Sequence, residues 1–211
     1  MSKLRVLNLY SGLGGNRRLW GDDVEVTSVE YREDIAKFYT DHYPQDTLVV
    51  GDAHDYLLAH YKEFDFIWSS VPCPSHSRAR FWSAKGGKVD AVYPDMKLYE
   101  EILLLEHYFD GSWVVENVTP FYTPLIPAQK IGRHMFWANF NIYPVEPGDA
   151  DIKHGTRAEW QGFHGVDISG YKFQDRTDKI LRNCVNSNLG LHILRSAYSN
   201  SPETISQAAL F

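Results

Sequence analysis

Hydrophobic and polar positions along the first 120 residues switch repeatedly between two periods. Short apolar or β-branched runs, typical of strands, alternate with segments whose apolar residues recur every three or four positions, typical of helices. The predicted strands are residues 5–10, 24–31, 47–50, 64–69 and 113–116, and the predicted helices are residues 34–43, 53–61 and 98–109, with another helix beginning at residue 16. This alternation predicts a Rossmann-like α/β fold, a mostly parallel sheet with helices on both faces.

The regular spacing is lost in two regions. Residues 70–95 show no periodicity, and a loop of this length in a compact domain is usually functional or mobile. Beyond residue 120 the pattern weakens: residues 136–143 predict one or two strands, and residues 149–171 predict a loop rich in Gly, His and Asp. Residues 178–198 regain helical spacing.

Composition limits the class of protein. A chain of 211 residues with 44% hydrophobic content predicts one domain with a packed core. No apolar run approaches the roughly 20 residues of a membrane span, and the first residues lead into a strand without the layout of a signal peptide. The two cysteines, Cys73 and Cys184, are far apart and indicate a reducing compartment. We therefore expect a cytoplasmic protein without a membrane partner.

The charge pattern has two interpretations. A net charge of −6 argues against a wholly basic nucleic-acid binder. The cations are nevertheless grouped in two segments, Arg78, Arg80, Lys85 and Lys88 in the first and Lys172, Arg176, Lys179 and Arg182 in the second. A nucleic-acid-facing surface and an ordinary solvated surface both remain open.

Candidate binding residues collect where the predicted strands end, the edge at which open α/β sheets bind ligands. Gly12, Gly14 and Gly15 follow the first strand and allow a ligand to approach the backbone closely. Glu30 ends the second strand, where an acid accepts hydrogen bonds from ribose hydroxyls, and Asp52 ends the third, placed to receive an adenine amino group. The turn matches no dinucleotide or phosphate motif, so S-adenosylmethionine, a nucleoside without phosphates, fits better than NAD or ATP.

Cys73 follows the fourth strand and stands between Pro72 and Pro74 in the segment VPCPSHSR, residues 71–78. The two prolines restrict the backbone on either side of the thiol. Alone, the thiol is either a reactive group at a binding edge or a small apolar filler of the core. A metal site with His76 is not favoured, because two further ligands at suitable spacing are missing.

Together these segments resemble the cytosine-C5 DNA methyltransferases. NLYSGLGG, the strand-end Glu30, Gly51-Asp52, VPCPSHS and VVENV stand in that family's order, and the short chain is similar to members carried by bacteriophages. The resemblance implies the Rossmann-like methyltransferase fold, S-adenosylmethionine as methyl donor and S-adenosylhomocysteine as product. It also implies DNA methylation, as in restriction-modification, with double-stranded DNA as partner and the target base flipped out.

The resemblance further implies catalytic roles. Cys73 matches the nucleophile that adds to cytosine C6, and Glu116 matches the acid that protonates or hydrogen-bonds N3 and the exocyclic amine. Arg133, in QKIGRHMFWANF, is the nearest match to the family's arginine beside cytosine O2, and His134 stands where a second arginine would. No side chain is assigned as the base that removes the C5 proton.

Binding positions carried over from the family form two groups. The cofactor group is Tyr10, Ser11, Gly12, Gly14, Gly15, Glu30, Tyr31, Asp52, Ala53, Pro72, Asn183 and Val185. The substrate group is Pro74, Ser75, Ser77, Arg78, Arg80 and Asn117. Within the second group the two arginines are an alternative source of positive charge, and Asn117 is expected to support the catalytic loop. Cys184 is expected to be structural.

The chain departs from the family in size. We expect residues 1–140 to form the catalytic and cofactor-binding domain and residues 180–211 a helix that completes it. Only residues 141–179 remain for target recognition, with candidate DNA contacts at His154, Arg157, Trp160, His164 and Arg176. The enzyme then reads a short site, depends on a homo-oligomer or specificity partner, or has another substrate.

Two alternatives to the DNA enzyme remain open. The first is an RNA or nucleotide cytosine-C5 methyltransferase, which keeps the thiol chemistry and changes the substrate. The second is a catalytically inactive DNA-binding or partner protein of the same fold. Intact Cys73 and Glu116 argue against the second alternative.

Overall fold

A seven-stranded sheet forms the centre of the computed structural model, which describes residues 2–144 and 155–198. The strands are β1 (Leu4–Leu9), β2 (Val24–Glu30), β3 (Thr47–Val50), β4 (Phe66–Ser70), β5 (Ser112–Val118), β6 (Gln129–Ile131) and β7 (His134–Ala138). Their order across the sheet is β3-β2-β1-β4-β5-β7-β6. The first five run parallel, β7 runs antiparallel to β5, and β6 runs antiparallel to β7.

Seven helices accompany the sheet within the described ranges. They are α1 (Glu33–His42), α2 (Ala53–His60), α3 (Arg78–Lys85), α4 (Lys97–Tyr108), α5 (Arg157–His164), α6 (Thr177–Arg182) and α7 (Ser187–Tyr198), and a 3₁₀ turn (Tyr61–Glu63) follows α2. None of the helices in these ranges is long and apolar enough to span a membrane.

Side chains that alternate along each strand build two cores, one on each face of the sheet. Leu7 and Leu9 of β1 pack with Leu57 of α2 and Leu105 of α4. On the other face, β-strand residues such as Phe66 pack with Ile193 of α7. The predicted α/β fold, with a mostly parallel sheet covered by helices on both faces, is confirmed.

A third cluster joins α5 and α6 to α1. Phe38 of α1, Trp160 of α5 and Leu181 of α6 are all buried in it. The described part of residues 141–179 therefore packs against the main body, and its buried side chains are part of a core.

The predicted helix beginning at residue 16 is wrong. Residues 11–20 form successive turns, in which Gly14 N–H bonds to Ser11 O at 2.9 Å and Trp20 N–H bonds to Arg17 O at 3.0 Å. Gly12 and Gly14 have φ values of +54° and +71°, a backbone region that an α-helix excludes.

A buried polar network holds this turn segment against the sheet, and the sequence pattern did not reveal it. Asn16 donates to Asn8, Asn8 to Ser28, Ser28 to Tyr39, and Tyr39 to Asp46. Arg17 completes the network by a bidentate ion pair with Asp46, in which both side chains are at most 3% exposed. Each buried polar group thus has a partner, as burial requires.

Two helices occur where loops were predicted. Helix α3 lies within the aperiodic segment 70–95, capped by the Ser77 hydroxyl, which accepts a hydrogen bond from Arg80 N at 3.2 Å. It buries none of its residues, so it leaves no apolar periodicity to detect. Helix α5 begins with a complete capping box between Thr156 and Glu159, a signal that was present in the sequence.

Candidate active site

A cavity of about 370 Å³ opens where the parallel strands of the sheet end. The residues that line it come from the turn after β1 (10–13, 15 and 16), the end of β2 and start of α1 (30–32 and 35), and the end of β4 with the Cys73 loop (70–74). Others come from β5 (116–118), the start of β7 (133 and 134) and several positions between 175 and 185. This volume lies in the ordinary range of small-molecule sites. The predicted meeting of strand-end residues at one edge is therefore observed for most of the candidates.

One part of the cavity is built from Ser11, Gly12 and Glu30. The Glu30 carboxylate accepts backbone N–H groups from Gly12 and Arg32, each at 2.9 Å. Burial raises the pKa of Glu30, and these two N–H groups act in the opposite direction. The Ser11 hydroxyl is buried without a hydrogen-bond partner, and at Gly12 an added Cβ would meet no atom nearer than 4.0 Å. This part combines an acceptor, an unsatisfied hydroxyl and an open backbone face.

Gly14 and Gly15 both pack closely within the protein, and Gly15 also lines the cavity, so the expectation that the turn admits a ligand is corrected for Gly14 alone. A Cβ on Gly14 would lie 2.5 Å from the Tyr43 ring, and Gly14 does not line the cavity. A Cβ on Gly15 would lie 2.2 Å from Val185 O and 2.3 Å from Cys184 Sγ. Cys184 is buried at this contact, as its expected structural role requires.

Asp52 and Ala53 lie outside the cavity lining. Asp52 caps α2, accepting hydrogen bonds from His54 N at 2.8 Å and Asp55 N at 3.3 Å, and lies 3.5 Å from Lys97 Nζ. Ala53 is buried in the core beneath α2. The strand-end position of Asp52 thus serves the helix, since the first backbone N–H groups of a helix need acceptors.

Tyr10 lines the cavity in a strained backbone conformation, with φ at +53°. Its hydroxyl donates to Glu101 at 2.6 Å, and the Ser69 hydroxyl donates to the same carboxylate at 2.6 Å. Glu101 is fully buried on the inner face of α4. The sequence analysis missed this carboxylate, although its spacing from Leu98 and Leu105 places it on the apolar side of that helix.

The Cys73 loop is a tight turn fastened to β5. The Cys73 carbonyl accepts N–H groups from His76 at 3.0 Å and Ser77 at 3.1 Å. Asn117 donates from Nδ2 to Val71 O at 2.9 Å, which is the supporting contact predicted for it. Burial, followed by the negative charge of Glu116, raises the pKa of the Cys73 thiol to about 11.

Glu116 is buried on the cavity wall. It pairs in register with Ser70 of β4, three residues before Cys73, and with Phe136 of β7. Burial raises the pKa of Glu116 to about 7, against the opposing effects of the Ser70 hydroxyl and the Arg133 charge. A carboxyl group with this pKa exchanges a proton near neutral pH.

Positive charge reaches the thiol from two later segments. Arg133, just before β7, donates from Nη2 to Arg182 O and lowers the pKa values of both Cys73 and Glu116. Lys179 of α6, held by Asp175 at 2.6 Å, also lines the cavity and lowers the pKa of Cys73. No motif in the sequence had singled out Lys179.

His134 does not replace a second arginine. Its Nε2 lies 3.6 Å from Glu116 Oε1, but burial and the Arg133 charge lower the pKa of His134 to about 3. The imidazole is therefore neutral at physiological pH and contributes no charge to the site.

The predicted substrate group divides between the cavity and the loop that follows it. Pro74 and Asn117 line the cavity. The Ser75 hydroxyl accepts a hydrogen bond from Asp95 N at 2.9 Å, and Ser77 caps α3. Arg78 and Arg80 donate to the main-chain oxygens of Pro120 and Asp90, at 3.1 and 3.2 Å. These four residues hold the loop and do not line the cavity.

The other predicted positions have mixed outcomes. Tyr31, Pro72, Asn183 and Val185 line the cavity. Trp160 and His164 are buried, which corrects their expected contact with DNA, whereas Arg157 and Arg176 are exposed. His154 lies outside the described residues. Within residues 2–144 and 155–198 there is no group of three or more His, Cys, Asp or Glu side chains that could hold a metal ion.

Comparisons with known proteins give matches only among solved structures. No protein-family model and no curated protein matches the sequence. The chain is similar to a SAM-dependent methyltransferase from Agrobacterium tumefaciens, with 13% identity and a TM-score of 0.42, over 57% of this chain and 40% of that one. It is similar to the putative methyltransferase yhhF from Escherichia coli, with 14% identity and a TM-score of 0.41, over 64% and 74%.

A third similar structure is a mutant DNMT2 from Spodoptera frugiperda, with 21% identity and a TM-score of 0.40, over 55% of this chain and 36% of that one. The chain thus spans less than half the length of the Agrobacterium and Spodoptera proteins.

Proposed function

We propose that the protein is an S-adenosylmethionine-dependent methyltransferase that modifies C5 of cytosine in DNA. The observation that carries the proposal is a single cavity shared by two sets of groups. Cys73, Glu116 and Arg133 supply a nucleophile, an acid and a cation, while Ser11, Gly12 and Glu30 form a polar pocket beside them. The same cavity is thus equipped for nucleophilic attack on a base and for binding a nucleoside.

The Ser11 part of the cavity fits S-adenosylmethionine. Glu30 has carboxylate oxygens for ribose hydroxyls, and the unpartnered Ser11 hydroxyl and open face of Gly12 suit the amino-acid portion. When bound, S-adenosylmethionine supplies an electrophilic methyl group. A triphosphate fits less well, because the turn lacks the pattern of a phosphate-binding loop.

The protonation states of Cys73 and Glu116 are coupled. The pKa is about 11 for Cys73 and about 7 for Glu116. At pH 7 the protein therefore holds a neutral thiol and a partly protonated carboxyl group. The Glu116 negative charge disfavours the thiolate, whereas Arg133 and Lys179 favour it. A proton on Glu116 therefore removes one of the two effects that oppose thiolate formation, while the burial of the thiol remains.

These groups account for activation of cytosine with atoms and charges balanced. The Cys73 thiolate forms a bond to C6, N3 takes a proton from Glu116, and the C5=C6 electron pair becomes available at C5 as an enamine. After C5 is methylated, a base for which no side chain is assigned takes the C5 proton, the electron pair of that C–H bond restores the C5=C6 double bond, and the C6–S bond breaks to release the Cys73 thiolate. Glu116 then recovers the N3 proton. Covalent addition divides one difficult step into easier ones.

The decisive experiment traps the covalent adduct. The protein is incubated with methyl-labelled S-adenosylmethionine and DNA in which 5-fluorocytosine replaces cytosine, in single-stranded and duplex form. Because fluorine at C5 blocks the final elimination, we expect a labelled protein–DNA adduct that survives denaturation and maps to Cys73. Cys73→Ser should form no adduct while it still binds S-adenosylmethionine in calorimetry.

Cys184→Ala is the matched control, since Cys184 packs against Gly15 in the core. It should retain the adduct if it folds, as judged by circular dichroism. An adduct with RNA alone would assign the chemistry to another nucleic acid. Tight cofactor binding without an adduct on any cytosine substrate would exclude the proposed chemistry.

A further inference from the structure

The segment that follows Cys73 presents an unusual surface, which we call the α3 platform and define as residues 78–96. Of the thirteen large hydrophobic residues that are exposed in the described chain, five lie in it: Trp82, Val89, Val92, Tyr93 and Met96. Trp82 is 62% exposed and Tyr93 is 95% exposed. Exposed apolar side chains concentrated in one short segment are typical of an interaction site.

The platform is fastened beside the cavity. Asp95 N–H donates to the Ser75 hydroxyl at 2.9 Å, two residues from Cys73, and Arg80 donates to Asp90 O at 3.2 Å. At the other side, the Phe81 ring stacks on Phe121, with centroids 4.5 Å apart and planes 6° from parallel. The exposed aromatic groups therefore project from a surface that adjoins the Cys73 loop.

The platform carries four cations, Arg78, Arg80, Lys85 and Lys88, and two exposed carboxylates, Asp90 and Asp95. Arg78 and Arg80 bond to main-chain oxygens, and Lys85 lies over the Trp82 ring at 5.3 Å. Elsewhere on the described surface, cations such as Arg5, Lys37 and Arg176 pair with carboxylates. In a chain with a net charge of −6, this surface is suited to an anionic partner.

A surface that combines exposed aromatic rings with cations favours single-stranded over double-stranded nucleic acid. In a duplex the faces of the bases are already stacked, so the exposed rings of the platform have no free base face to contact. In an unpaired strand each base has a free face for stacking, and the phosphates can pair with the cations. An unpaired target also avoids the cost of extracting cytosine from a helix.

We infer that the α3 platform binds unpaired DNA, so that the preferred substrate is a single strand or a locally open one, with Trp82 stacking on a base near the target cytosine. This inference rests on the proposed function for its choice of DNA. It names the substrate class. It also assigns a DNA-binding role to Trp82, Tyr93 and Lys85, which lie outside the cavity lining.

The test measures binding, which requires no turnover. Fluorescence anisotropy compares a labelled, cytosine-containing oligodeoxynucleotide that cannot pair with itself, the same strand annealed to its complement, and an RNA of the same sequence. We expect the single-stranded DNA to bind at least about tenfold more tightly than the duplex at equal salt. Trp82→Ala should weaken single-strand binding by about 5- to 150-fold, the range for loss of one stacked base.

Matched variants separate stacking from general effects. Trp82→Phe should restore most of the affinity, since a ring remains. Tyr108→Ala, at an exposed aromatic residue at the far end of α4, should leave affinity unchanged. Lys85→Gln should reduce the dependence of affinity on salt, because one fewer phosphate contact releases counterions.

Three results would overturn the inference: tighter binding of duplex than of single strand, equal loss of both affinities in Trp82→Ala, or a preference for RNA. Its failure is distinguishable from failure of the proposed function. A preference for single strands without a fluorocytosine adduct would contradict only the proposed methyltransferase chemistry. An adduct together with a preference for duplex DNA would contradict only the role of the α3 platform.

Discussion

Replacing Glu116 by glutamine tests the electrostatics of the site without reference to any substrate. The carboxyl group of an unfolded chain titrates near 4.5, whereas burial raises the pKa of Glu116 to about 7 in the folded protein. Between these values the folded state binds more protons than the unfolded state, so Glu116 makes stability fall as the pH rises from about 4.5 to about 7. Glutamine has the same shape and no charge, and therefore removes this dependence.

The magnitude follows from the shift. Each pKa unit corresponds to about 1.4 kcal/mol, so the ionised carboxylate costs on the order of 3 kcal/mol above pH 7. We expect Glu116→Gln to match the wild type near pH 4, where both side chains are neutral. At pH 8 it should be more stable by up to about 3 kcal/mol, which for a chain of this size raises the melting temperature on the order of 10 °C.

Urea unfolding followed by circular dichroism at a series of pH values provides the measurement. Glu106→Gln, at an exposed carboxylate on α4, is the control and should change stability by less than about 0.5 kcal/mol at every pH. A stability difference for Glu116→Gln that does not vary with pH, or a loss of stability at pH 8, would refute the assigned burial of this charge. Methyl transfer should be lost even though the variant is more stable.

Three further predictions concern the cavity and its walls. Iodoacetamide should modify Cys73 slowly at neutral pH and faster in Glu116→Gln, because removal of the carboxylate charge lowers the pKa of the thiol. Mass spectrometry measures the rate of modification, and an equal rate in the two proteins would contradict the coupling between Cys73 and Glu116. Asp52→Ala should lose about 1 kcal/mol of stability with the helix cap and keep its S-adenosylmethionine affinity in calorimetry; a weakened affinity would contradict the assignment of Asp52 to the helix alone. Gly15→Ala should lower the melting temperature by several degrees without added ligand, since its Cβ would collide with Val185 O. A melting temperature equal to that of the wild type would contradict this close contact.

The order of strands and helices could be predicted because it rests on local periodicity. Short apolar or β-branched runs in β1 to β5 and three-to-four spacing in α4 are visible within short windows, and these elements agree with the structure to within a few residues. Elements without a buried face were missed: α3 buries nothing, and β6 has only three residues. The predicted helix after β1 failed because glycines with positive φ and a buried Asn16 contact favour turns there.

The sequence by itself determined which candidate site residues stand at the strand ends. Cys73 and Glu116 follow from motifs at the ends of β4 and β5, and parallel pairing places both at one edge of the sheet. Gly12 and Glu30 follow in the same way from β1 and β2, and the structure joins them by a hydrogen bond. Neighbouring parallel strands have their carboxyl ends at the same edge of the sheet, so the sequence alone groups these residues.

Only the tertiary structure decided how each group behaves. Asp52 is a helix cap, Gly15 packs on Val185, and His134 is neutral because it is buried beside Arg133. Lys179 reaches Cys73 from α6, more than a hundred residues later in the chain. Burial and charge depend on which distant segments fold over a residue, and the pKa values of about 11 and about 7 arise from that enclosure. A sequence motif names the proposed acid and the proposed nucleophile, but their burial and the charges around them exist only in the folded chain.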